Sequence, residues 1–130
     1  MNDNDDRDAA DLLHLMGHLY LKSGQAQRGL ALLLIANRMA PDHLGVLHAL
    51  CRGFLTTGNG QRAINVIARL EANGQHDNTL LLLRSRAEWL NGEHASARQH
   101  FQTYLERRKR EERRLGAPST DANQRGEPAA

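Results

Sequence analysis

The 130-residue chain has little cysteine, proline or aromatic content: one Cys (Cys51), three Pro, one Trp, two Tyr and two Phe. A lone cysteine excludes an internal disulfide, and with it the disulfide-stapled class of small secreted domains. The longest strongly apolar stretch, Leu30 to Ala36, is far shorter than the roughly 20 residues a membrane-spanning helix needs. The N-terminal MNDNDDRDAAD is acidic and lacks the charged-then-apolar order of a signal peptide, so no secretory leader is expected. No run of alternating β-branched residues marks a strand. Charge of one sign is also missing, since 17 Lys+Arg face 15 Asp+Glu for a net +2. That is not the single-sign field of a dedicated nucleic-acid binder. A soluble protein of a reducing compartment, built as one small domain, is what these absences leave.

The sequence does hold a repeat. Leu21-Lys22-Ser23-Gly24, Leu55-Thr56-Thr57-Gly58 and Trp89-Leu90-Asn91-Gly92 place a glycine every 34 residues. Five positions after each comes a small residue (Gly29, Ala63, Ala97), and four further on a large apolar one (Leu33, Ile67, Phe101). Each unit carries two amphipathic stretches, such as Leu12, Leu13, Met16, Leu19 and Tyr20, with apolar residues three and four apart. Small residues at Gly17, Cys51, Gly29, Ala63 and Ala97 would let paired helices approach closely. Pro41 with Asp42 closes the first unit, because proline cannot continue a helix interior.

This 34-residue helix–turn–helix pattern resembles the tetratricopeptide repeat. The expected fold is all-α, a right-handed helical-hairpin solenoid of three repeats at about 10–43, 44–77 and 78–111. Six helices are predicted near 9–22, 26–40, 44–56, 60–73, 78–91 and 94–114. Residues 1–8 read as a flexible acidic N-terminus, and the Pro- and Gly-containing 115–130 as a disordered tail. The third repeat departs from the pattern, with Arg84 and Glu88 at positions that are usually apolar.

Helical repeats bind partners on the concave surface lined by the first helix of each pair. The resemblance places His14, His48 and Leu82 on that surface, with His18, Arg52 and Arg86 forming a basic ladder. Leu21, Leu55 and Trp89 complete it, the alternative for these three being packing between or within repeats. Such a trough suits an amphipathic helix or extended peptide carrying acidic residues.

No phosphate loop, nucleophile elbow, zinc-protease motif or dinucleotide fingerprint occurs, and paired carboxylates are missing from the expected groove. No enzyme, cofactor, metal or small-molecule substrate is therefore expected. His14 and His18 stand four apart, but a structural zinc site takes about four ligands. Cys51 falls at a buried small-residue position and reads as an inert thiol. The segment LERRKREERR at 105–114 holds six basic residues against three Glu. As a helix end it is stabilised by acidic–basic spacings such as Glu106 with Arg110 and by the helix dipole. As a nucleic-acid arm it would contact phosphates. The interleaved Glu111 and Glu112, and the lack of an aromatic among the basic residues, argue against that arm.

The short strings Pro41-Asp42-His43-Leu44, Ser85-Arg86-Ala87, Leu90-Asn91-Gly92, Ala97-Arg98 and Tyr104-Leu105-Glu106 make residues 12–106 similar to small type III secretion chaperones of the YscY type. The resemblance implies a bacterial cytoplasmic protein, peripheral at the secretion apparatus, that binds a small secreted YscX-like partner. The pair would engage the cytosolic domain of the export-gate protein. Chaperones for needle or translocator subunits use similar repeats and imply a different client. A chain of this kind is expected to be only marginally stable or to self-associate when its partner is absent, because an apolar face is left uncovered.

Overall fold

A computed structural model of the protein describes residues 3–129, with side chains from 4 to 116. Its elements are α1 (Asp3–Lys22), α2 (Ala26–Met39), α3 (Leu44–Thr56), α4 (Gly60–Ala72), α5 (Asn78–Leu90) and α6 (His94–Ala129), with no strand among the described residues. The chain is all-helical, and its helices pair as three consecutive hairpins.

The hairpin turns explain the glycine spacing. Gly24, Gly58 and Gly92 have φ of 83°, 81° and 81°, a left-handed conformation that L side chains rarely adopt. Each lets the next residue's N–H reach back to satisfy a carbonyl of the finished helix: Gln25 to Tyr20 at 2.8 Å, Asn59 to Phe54 at 2.7 Å and Glu93 to Glu88 at 2.9 Å. Between hairpins the second helices of each pair are followed by side-chain caps. The His43 ring accepts from the Val46 N–H at 3.2 Å to start α3, and Asp77 accepts from Leu80 at 2.8 Å to start α5.

Close approach of α1 and α2 depends on Gly17 and Gly29. A Cβ on Gly29 would fall 2.7 Å from the Gly17 carbonyl oxygen, and one on Gly17 2.7 Å from Leu33 Cγ. The small-residue positions of the repeat are therefore contacts between helix backbones. Successive helices touch in order, and α3 also touches α1 and α5. The second helices approach one another only through long side chains, as where Arg69 on α4 donates to Asn37 on α2 at 3.2 Å, and their backbones stay apart among the described residues. The first helices thus form the tighter row, the inner side of a bent stack. The core lies between the rows, around Leu33, Leu47, Leu50, Ile67 and Leu70.

The polar departures in the third hairpin are paired. Arg84 donates to Glu71 at 2.7 Å, linking α5 to α4, and His100 donates from Nδ1 to the buried Glu88 at 2.6 Å. Ser85 donates to the Ala97 carbonyl at 2.9 Å. The last hairpin is held by hydrogen bonds where the others use apolar contact.

Both chain ends differ from expectation. α1 starts at Asp3, so most of the supposedly flexible acidic segment is helical. Its aspartates lie at a helix N-terminus, where the dipole favours negative charge, and Arg7 and Asp11 pair with Asp42 and His43. At the other end α6 continues past 114 to Ala129, where composition predicts disorder. Extending a formed helix is far cheaper than starting one, and the Arg108–Glu112 pair at 3.0 Å supports the continuation.

Candidate functional site

The predicted groove residues divide into three groups. His18, Arg52 and Arg86 are exposed on α1, α3 and α5, and His48 and Leu82 are half-buried beside them. Arg52 and Arg86 both act on one atom. Burial pushes the Cys51 thiol up to about 11, and the two guanidinium charges pull against it. The two arginines therefore share one neighbourhood between α3 and α5. Cys51 itself is fully buried and mostly protonated at neutral pH.

His14 is wedged between α1 and α3. Its Cε1 lies 2.8 Å from where a Gly45 Cβ would stand, and its ring meets that of His43 edge-on, with centroids 5.4 Å apart. Burial lowers its pKa below the ordinary imidazole value, helped by His43 and His18, while Asp11 opposes. His43 accepts through Nδ1 from Val46, so its proton sits on Nε2 and is donated to Asp11 at 2.6 Å. Among the described residues no group of three or more His, Cys, Asp and Glu is placed to hold a metal ion.

Leu21 and Leu55 follow the packing alternative, Leu21 half-buried and Leu55 buried, although Leu55 still reaches the cavity at Trp89. Leu21 packs against the core, its Cγ 3.2 Å from where a Gly29 Cβ would stand. The glycines beside Leu21 leave room for it to sink between neighbouring helices.

Trp89 is placed differently. It is 51% exposed and stacks on His94, with ring centroids 4.1 Å apart. It lines a cavity of about 390 Å³ with Leu55 at its base and Arg86, Leu90, Arg98 and Phe101 around it. Leu90, Arg98 and Phe101 were not among the predicted site residues. Their signal was present in the repeat itself: Phe101 matches the buried Leu33 and Ile67 in register, yet is 42% exposed.

The arrangement provides an apolar hollow with the two guanidinium groups of Arg86 and Arg98 in its lining. It offers burial for a large side chain and charge-assisted hydrogen bonds for carboxylates beside it. No helix among the described residues is long and apolar enough to cross a membrane. No protein-family model matches this sequence, and no curated protein matches it.

Proposed function

We propose that this protein is a tetratricopeptide-type adaptor that holds a segment of another protein, acting as a cytoplasmic type III secretion chaperone. The client under this reading is a small secreted YscX-like protein, and the complex is presented to the cytosolic domain of the export-gate protein. The observation that carries the proposal is the half-exposed Trp89 in an apolar cavity flanked by Arg86 and Arg98. Aromatic and arginine side chains are the commonest energetic anchors of protein interfaces. A client helix would place an apolar residue in the hollow and acidic residues against Arg52, Arg86 and Arg98.

The test is co-expression with the YscX-like protein of the same bacterium. A stable complex with a higher melting temperature than the free chain is expected, since a ligand of the native state alone raises stability. Arg52→Glu with Arg86→Glu should weaken capture by about tenfold or more while helical content is unchanged, because rim charges become repulsive to an acidic client. A well-folded double variant with unchanged affinity removes the basic ladder from the mechanism. No complex with the wild-type chain removes this client.

A further inference from the structure

The two ends of the hairpin stack are unlike the ends of a finished solenoid. Terminal repeats ordinarily present a polar outer face, which keeps the stack soluble and closed. Here both ends are apolar. On the trailing side, Leu33 and Ile67, each in a hairpin that another follows, are 0% exposed, whereas Phe101, at the same register, is 42% exposed with Leu90 and Leu105 beside it. On the leading side, Leu12, Leu15 and Leu19 are each more than half exposed. Their register equivalents in α3 and α5 (Val46, Ala49 and Gly53, then Leu80, Leu83 and Ala87) are buried against the preceding hairpin. The leading face thus carries Leu12 and Leu15 where α5 carries Leu80 and Leu83, while Leu19 stands where the interior has Gly53 and Ala87 and would meet Arg98, which replaces Leu30 at that register, rather than a leucine.

Charge distinguishes the ways in which two such ends could meet. The α1 half from Asp3 to Asp11 holds five Asp against Arg7 alone. Residues 107–114 of α6 hold six basic residues against two Glu, and Arg108 and Lys109 continue the helical stripe of Phe101 and Leu105. Inside the chain α3 follows α2 through a four-residue loop, so its N-terminal end lies beside the C-terminal end of α2. An α1 seated against α6 as α3 is seated against α2 would run its aspartates alongside the 107–114 segment. Pairing of two α1 faces would offer the aspartates only Arg7 and Lys22 from the partner's α1, and pairing of two α6 faces would set arginine against arginine.

We propose that copies of this chain associate head to tail. In this arrangement α1 of one copy covers the trailing face of the next, with Leu15 and Leu19 against Phe101 and Leu90 and the aspartates against the α6 arginines. Such a contact is heterologous and does not close by itself, so it propagates. The inference goes beyond the adaptor reading and its test needs no client, although the two surfaces share Leu90 and Phe101, so that a client and a second copy would compete for that hollow.

Sedimentation velocity of the full chain, without partner, tests it. The wild-type protein should form a concentration-dependent series of oligomers. Leu15→Glu with Leu19→Glu should give a helical monomer, and so should Leu90→Glu with Phe101→Glu. Mixed in equal amounts, the two monomers should form a one-to-one dimer, since each retains the end that the other has lost. A wild-type monomer at all concentrations overturns the proposal. So does a dimer abolished by one pair of substitutions only, which signifies two-fold pairing, or a mixture that stays monomeric. If Leu90→Glu with Phe101→Glu unfolds the third hairpin, charge reversal of the exposed Arg108, Lys109 and Arg110 to Glu replaces it. That variant must then lose oligomers and regain a dimer when mixed with the α1 variant.

Discussion

At the scale of single residues, His14 couples stability to pH. Its folded-state pKa is lowered, chiefly by burial and then by His43 and His18, against the opposing charge of Asp11. Above the unfolded value of about 6.5 both states are neutral and the group is silent. As pH falls below that value the unfolded chain takes up the proton first, so stability is lost until the folded pKa is passed. Urea unfolding between pH 7.5 and 5.5 should show this loss, and His14→Gln should make it smaller. An identical pH slope in the variant would mean that His14 is no more protected from protons in the fold than outside it. The repeat register placed His14 on the groove surface of α1, whereas it is half-buried against α3. The register did not give its depth, which follows from the missing side chain at Gly45. The same reason accounts for Leu21, which the repeat register placed in the groove and Gly29 allowed to sink inward.

Among the elements, the internal helices were readable to within one residue. The stretches expected at 26–40, 60–73 and 78–91 are Ala26–Met39, Gly60–Ala72 and Asn78–Leu90. Their boundaries are set locally, by glycines at positive φ and by the caps His43 and Asp77, so they are written in the sequence near each turn. At α1 and α6 no neighbouring unit repeats the outer boundary, so the repeat pattern did not give where these helices begin and end. Arg84 and Glu88 in α5 were visible as departures from the pattern, but their partners were not, because Glu71 and His100 are distant in sequence from the groups they satisfy. Glu88 tests how far the third hairpin depends on such pairing. Glu88→Ala leaves His100 without its acceptor and opens a hole beside α6, and should cost about 1–3 kcal/mol. Glu88→Gln keeps an oxygen able to accept from Nδ1 and should lose less. Equal losses in chemical denaturation would show that the charge, rather than the hydrogen bond, holds α5 to α6.

For the whole molecule, contacts run between neighbouring hairpins, and among the described residues the first hairpin meets the third only through the second, by way of α3 and α4. Of the eight largest fully buried side chains, Val46, Leu47, Leu50, Cys51, Ile67 and Leu70 lie on α3 or α4, leaving Leu33 on α2 and Leu83 on α5. In a stack of this kind stability is close to a sum of unit and interface terms, and the unit covered on both sides opens last. The exposed faces of α1 and α6 are the same surfaces whose coverage by another copy has been proposed. Their local opening therefore reports both on the isolated stack and on its association. Hydrogen exchange of the full chain at low concentration should find the slowest amides in α3 and α4, faster exchange in α1 and α5, and the fastest in α6 beyond Leu105. Raising the concentration should slow α1 and the first turns of α6 selectively and leave the centre unchanged. Uniform protection across the six helices would describe a single cooperative core, and the nearest-neighbour account of this fold would then be wrong.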